Sequence, residues 1–260
     1  MARFDASESL TPFRDGSGRD PRGRDAGGGF GSILSDAAIA RQVGQDWFDP
    51  AHWEDKAQPV GSGGRGGAWF IEGPFGHAVL RRYLRGGLVG RFNRDLHLWR
   101  GSDRVRSFAE FRLARELRRE GLPVPEPIAA CYLRQGPFYR AAILMQRLCG
   151  VRSLADLAAG ADGEAPWKAA GELIARCHRG GLDHVDLNAH NILFDEEGRG
   201  WVIDLDRCRK RLPETAWRSR NLARLERSLL KLRGERPEHE VRADFARLRA
   251  AYDARWAKGY

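Results

Sequence analysis

In the stretch LDHVDLNAHNILFDEEGRGWVIDLDR, residues 182–207, five aspartates, two histidines and two asparagines stand among short runs of Val, Ile and Leu. Asp186 lies two residues after His184 and five before Asn191, and Asp204 follows thirteen residues beyond Asn191. NILF and WVIDL are apolar runs joined by the turn sequence DEEGRG, the pattern of a β-hairpin. A loop that precedes one strand of a hairpin and a loop that follows its partner lie at the same end of the pair. Asp186, Asn191 and Asp204 are therefore expected to face a common point. Phosphoryl transfer needs such a point: one carboxylate orients the attacking hydroxyl and accepts its proton, while an amide oxygen and a second carboxylate hold Mg²⁺ on nucleotide phosphates. Hard oxygen donors suit Mg²⁺. The cysteines, Cys131, Cys149, Cys177 and Cys208, include no C-x-x-C pair, which argues against zinc.

The elements that must carry these residues follow from pattern. Residues 1–31 are rich in Gly, Arg and Asp and are expected to be a flexible tail, because they offer too little apolar surface to offset ordering entropy. A short amphipathic stretch, SILSDAAIARQV, comes next. The glycine-dense turn Gly61–Gly67 then leads into the strands AWFIE and HAVLRRYL, joined by GPFG. DRVRSFAEFRLARELRREG places Val105, Phe108, Phe111, Leu113 and Leu117 near helical spacing, and Gly121 stops it. LPVPEPIAACYLR links into a strand, and FYRAAILMQRL is another. SLADLAA and APWKAAGELIARCHRGG predict helices, the second with Pro166 near its start and Gly180 past its end. Beyond the hairpin, ETAWRSRNLARLERSLLKLRG and VRADFARLRAAYDARW are amphipathic helices. This order predicts an α+β chain with two lobes. The N-lobe, an antiparallel sheet with one helix, would span 32–145, and a mainly helical C-lobe would span 146–260.

Charge narrows the partners. The formal net charge is +9, and residues 207–260 carry 16 Lys/Arg against 7 Asp/Glu, a surplus equal to that of the whole chain. An anionic partner or surface follows. No nucleic-acid recognition motif is present and the arginines lack aromatic interleaving, so nucleic acid is not the expected partner. No apolar run approaches the ~20 residues that span a bilayer. The opening MARFDASESL lacks the apolar core of a signal peptide, and scattered single cysteines fit a reducing cytoplasm. Adhesion to a membrane surface remains open.

HVDLNAHN, residues 184–191, resembles the H-x-D-x-x-x-x-N catalytic loop of the protein-kinase-like superfamily, and VIDLD stands where that superfamily carries its metal-binding D-F-G. The resemblance implies a two-lobed protein-kinase-like fold that binds ATP with Mg²⁺. Asp186 would be the catalytic carboxylate and Asn191 and Asp204 the metal ligands, with His184 supporting the loop backbone. Gly61, Gly63, Gly64, Gly66 and Gly67 of GSGGRGG would offer backbone N–H groups to phosphates. Arg81 of AVLR stands at the position of the usual lysine, a planar fork in place of a point charge. A surface arginine on an edge strand is the competing reading. Strand alternation puts Val79 and Arg81 on one face and Arg82 on the other. Glu110 is the candidate partner of Arg81, with Glu116 the alternative. Met145–Leu148 would receive the adenine.

Asn188 occupies the loop position where protein kinases usually have Lys, and no A-P-E segment follows Asp204. The pattern is thus more similar to small-molecule kinases such as the aminoglycoside phosphotransferases. Within that group GRGGAWF, AVLRRYLRGGLVGRF, GLPVPEPIAA, DHVDLNAHNIL and NLARLERSLLK, spread over about residues 60–232, resemble the Kdo (3-deoxy-D-manno-octulosonic acid) kinases of the lipopolysaccharide kinase family. That resemblance implies phosphorylation of the 4-hydroxyl of Kdo on a lipid A precursor, Kdo-lipid IVA, by a protein held peripherally at the cytoplasmic face of the bacterial inner membrane. Arg81, Arg82, Arg85, Arg91, Arg94 and the basic C-terminal helices suit such an anionic lipid-linked acceptor and membrane surface. A kinase of another sugar, a lipopolysaccharide heptose or an aminoglycoside, is the nearest rival, and a non-catalytic pseudokinase the next.

Overall fold

Strand-forming runs dominate the front of the chain, and in the computed structural model, which describes residues 7–15, 28–61, 67–84, 95–159 and 165–259, they pair into one sheet. Its strands are β1 (Glu8–Asp15), β2 (Gly29–Asp36), β3 (Ala57–Pro59), β4 (Ala68–Gly73), β5 (Gly76–Arg82), β6 (His97–Leu98), β7 (Pro127–Gln135) and β8 (Phe138–Gln146). The order is β1-β2-β7-β8-β5-β4-β3, with β6 against β8, and every pairing is antiparallel. Because side chains alternate, successive residues feed opposite faces. Ile33, Ala129, Ala142 and Leu144 join Trp47, Phe48 and Trp53 of two successive 3₁₀ helices on one face. Leu34, Ala130, Ala141 and Ile143 join Phe108 and Phe111 of α1 (Arg106–Arg119) on the other. Each fully buried Phe stabilises by about 1.5–3 kcal/mol.

The expected flexible tail is corrected only at Glu8–Asp15 and at the start of Gly29–Asp36, which are strands; residues 1–6 and 16–27 of that expectation lie outside the described residues. The amphipathic stretch that was expected to follow also begins inside β2. Backbone pairing needs no apolar composition, and glycine serves it. A Cβ at Gly31 would collide with the Tyr132 carbonyl and the Phe13 ring, so the close approach of β1, β2 and β7 requires a residue without one.

The chain divides into two compact units. The first holds the residues up to Arg112 together with Glu126–Arg147, and the second holds Leu113–Pro125 together with the residues from Leu148 on. Leu113–Pro125, expected within the N-lobe of 32–145, therefore belongs with the helical part. Its backbone bonds explain this: Val202 N–H donates to the Pro123 carbonyl at 3.0 Å, and Arg176 Nη2 donates to the Gly121 carbonyl at 2.7 Å.

The second unit contains α2 (Leu154–Ala159), α3 (Trp167–Arg179), α4 (Thr215–Lys231) and α5 (Glu238–Ala257). Gly171 lets α3 meet α5, since a Cβ there would strike the Leu248 carbonyl and lie 2.8 Å from the Tyr252 nitrogen. Five short strands complete the unit: β9 (Val151–Ser153), β10 (Leu182–Asp183), β11 (Ile192–Asp195), β12 (Gly200–Val202) and β13 (Arg209–Lys210). They form the ladders β12-β11-β9 and β10-β13. No helix among the described residues is long and apolar enough to cross a membrane.

Candidate active site

Two antiparallel ladders bracket the loops that carry Asp186, Asn191 and Asp204. Asp183, the last residue of β10, pairs with Arg209, the first of β13. Ile192, the first residue of β11, pairs with Val202, the last of β12. The segments 184–191 and 203–208 are thus anchored beside each other at both ends. Two hydrogen bonds tie them, and a third braces the first segment internally. Ile203 N–H donates to the Asn191 carbonyl at 3.0 Å. His184 Nε2 donates to the Ile203 carbonyl at 2.9 Å. Asn191 Nδ2 donates to the Asp186 carbonyl at 3.0 Å.

His184 is buried, and burial pushes its imidazole below the ordinary value, so the ring is neutral. Its Nε2 carries the hydrogen that Ile203 accepts, and Nδ1 is enclosed with no hydrogen-bond partner among the described residues. The histidine therefore braces the loop and offers no base to a substrate. Asp183 is also structural: it is buried, with Asn221 Nδ2 at 3.0 Å on Oδ1 and Arg211 Nη1 at 3.2 Å on Oδ2. Asp186 stays half-exposed.

The donor set suits a divalent magnesium ion. Asn191 is buried and its amide nitrogen donates to the Asp186 carbonyl, so the amide's carbonyl oxygen is the hard donor atom that could hold such an ion. Asp204 adds a carboxylate from a backbone in the left-handed region, φ 61°, a conformation that costs a residue with a side chain about 1–2 kcal/mol. Asp is among the types that tolerate it. One carboxylate and one amide oxygen match Mg²⁺, which takes its remaining ligands from water and substrate phosphates. No group of three or more His, Cys, Asp or Glu suited to a metal occurs among the described residues.

In the first unit, Arg81 on β5 ion-pairs through Nη2 with Glu110 Oε2 on α1. Tyr83 Oη donates to the same oxygen at 2.5 Å, and the Arg81 guanidinium lies 4.9 Å from the Tyr83 ring centroid. Glu116, the alternative partner, instead accepts from Lys210 Nζ at 2.8 Å. Arg82 points to the opposite face, where its Nη2 meets Asp49 Oδ1 at 3.3 Å. Gly61, at φ +84°, lies beyond the end of β3, and Gly67 immediately precedes β4, its carbonyl accepting from Arg82 N–H. Gly63, Gly64 and Gly66 lie outside the described residues. The last of the chain's three passages between the units falls between Arg147 and Leu148, within the stretch expected to receive adenine.

Sequence reasoning missed Arg224 on α4, which donates from Nε to Asp186 Oδ1 at 2.7 Å, and missed Asn221 and Ser228 on the same helix. The available signal was the helical spacing of these polar residues in NLARLERS.

An antiparallel sheet with one helix, followed by a helical unit that carries a loop-and-hairpin pair of this build, is the α+β arrangement of the protein-kinase-like fold. The family comparison is narrower. Residues 50–252 match the model of the lipopolysaccharide kinase (Kdo/WaaP) family, and the chain belongs to that family. A relative from Stenotrophomonas maltophilia (strain K279a), named 3-deoxy-D-manno-octulosonic acid kinase, is 60% identical over 259 residues, the full length of both chains. One of the same name from Xanthomonas euvesicatoria pv. vesicatoria (strain 85-10) is 58% identical over 260 residues, again covering both chains entirely. Among solved structures, WaaP in complex with acyl carrier protein is 18% identical, with a TM-score of 0.49 over 88% of this chain and 99% of that one.

Proposed function

We propose that this kinase transfers the γ-phosphoryl group of ATP to the 4-hydroxyl of the Kdo sugar on a lipid A precursor, Kdo-lipid IVA. It would work peripherally at the cytoplasmic face of the bacterial inner membrane. The observation that carries the reading is full-length identity of 58–60% to relatives named for Kdo phosphorylation. The surplus of Lys and Arg in residues 207–260 supports an acceptor and a surface that are both anionic.

In this proposal Asp186 orients the sugar hydroxyl and accepts its proton. Asn191 and Asp204 hold Mg²⁺, which when bound neutralises charge on the nucleotide phosphates. Arg81, steadied by Glu110 and Tyr83, takes a phosphate with its planar fork, and the glycines of 61–67 present backbone N–H groups.

The test is mass spectrometry of Kdo-lipid IVA after incubation with ATP, Mg²⁺ and the full chain. A single added phosphate located on the 4-hydroxyl of Kdo is expected. Transfer only to heptose-containing core or to aminoglycosides would replace the acceptor assignment. Absence of both Mg·ATP binding and turnover would turn the protein into a non-catalytic binding module.

A further inference from the structure

The loop from Leu182 to Ile192 contains neither Lys nor Arg. Asn188, which stands two residues after Asp186, is fully used in shaping the loop. Its Nδ2 donates to the Asp186 carbonyl at 3.1 Å, and its Oδ1 accepts from His190 N–H at 2.9 Å. Cationic charge at Asp186 arrives from another element.

That element is α4. Asn221, Arg224 and Ser228 stand at i, i+3 and i+7, one stripe of the helix, and each reaches the loop. Asn221 Oδ1 accepts from His184 N–H at 2.9 Å while its Nδ2 holds Asp183. Ser228 Oγ accepts from Ala189 N–H at 3.2 Å. Between these neutral clamps, Arg224 donates from Nε and Nη2 to one oxygen of Asp186, Oδ1. Both side chains are nearly half-exposed, 48% for Arg224 and 46% for Asp186. Ion pairs in such positions add at most about 1 kcal/mol to stability. Stability therefore does not account for a guanidinium placed on this carboxylate.

We propose that Arg224 is a positioning residue for phosphoryl transfer. It holds Asp186 by Oδ1 and reserves Oδ2 for the acceptor. This rests on the reading of Asp186 as the proton acceptor. In the step it serves, the hydroxyl proton passes to Asp186 Oδ2 as the sugar oxygen forms its bond to the γ-phosphorus. The bond between that phosphorus and the β–γ bridging oxygen breaks, and ADP leaves with the electron pair. Misplacing a reacting carboxylate by about 1 Å costs on the order of 100-fold in rate.

The experiment compares the full chain with R224A, R224K and D186N, using Mg·ATP and Kdo-lipid IVA. R224A should lose about 100-fold in kcat with KM for ATP within about twofold of the parent. R224K should recover part of the loss, because a lysine can meet one oxygen as a point charge but cannot fork. Millimolar guanidinium ion should raise the rate of R224A and leave that of D186N unchanged. Turnover of R224A within twofold of the parent overturns the proposal while D186N remains inactive. So does a loss in R224A matched by a rise in KM for ATP and a lowered Tm. Full turnover by D186N would instead remove the underlying reading of Asp186, a distinct result.

Discussion

The two units each hold a carboxylate bound by an arginine, and the pairs differ in setting. In the first unit the Glu110 side chain is 3% exposed and accepts from both Arg81 and Tyr83. In the second, Asp186 and Arg224 meet where water reaches both. A buried carboxylate has lost its hydration and must be satisfied by the protein, so removing its side chain strands its partners. An exposed pair trades protein contacts for water at little net gain. Glu110 is thus a structural requirement that also fixes the direction of Arg81. Asp186 is free of that burden.

The sharpest way to break this comparison is Glu110→Ala. It should lower the unfolding free energy by about 3 kcal/mol in urea titrations, with Glu110→Gln costing less because the amide keeps an acceptor. A loss below about 1 kcal/mol for the alanine variant would put the two pairs in the same class.

Acid should act next, through burial again and not through the exposed pair. His178 is buried on α3, with Nδ1 at 3.0 Å from Tyr252 Oη, and burial lowers its imidazole from 6.5 to about 3. The unfolded chain therefore takes the proton first. The stability this residue contributes is complete above pH 6.5 and is lost below it at about 1.4 kcal/mol per pH unit, down to about pH 3. Denaturant midpoints between pH 7 and 5 should fall accordingly, by about 2 kcal/mol, and His178→Asn should flatten the slope. His184 is shifted in the same direction and adds to the trend.

Arg224→Ala should change stability by no more than about 1 kcal/mol, and by less in 0.5 M salt, even as turnover falls. A large stability loss would make the exposed pair resemble the buried one. The smallest effect is expected from alkylation. Cys149 is exposed and should be labelled in the folded protein, with unfolding unchanged. Burial raises the thiols of Cys131 in the first unit and Cys177 in the second to about 12, so mass spectrometry should find both unlabelled until the chain unfolds.

The sequence by itself determined the elements with local signals. H-x-D-x-x-x-x-N, the hairpin turn DEEGRG and the apolar spacing from Val105 to Leu117 lie within single elements or neighbouring ones, and neighbours along a chain meet without long-range information. The alternation that sets Arg81 and Arg82 on opposite faces is of the same kind. Tertiary structure alone decided the pairings across distance. Glu110 and Glu116 are both helical glutamates, and only the packing of α1 on the sheet turns the first to Arg81 and leaves the second to Lys210. The strands β1 and β2 were hidden because ladder formation is a property of backbone, and composition records side chains. Arg224 stands 38 residues from Asp186, and its contact exists because α4 lies along the loop. Types and spacing thus supplied the chemical groups, and the long-range fold chose which charges face which, since that choice depends on burial and on partners remote in the chain.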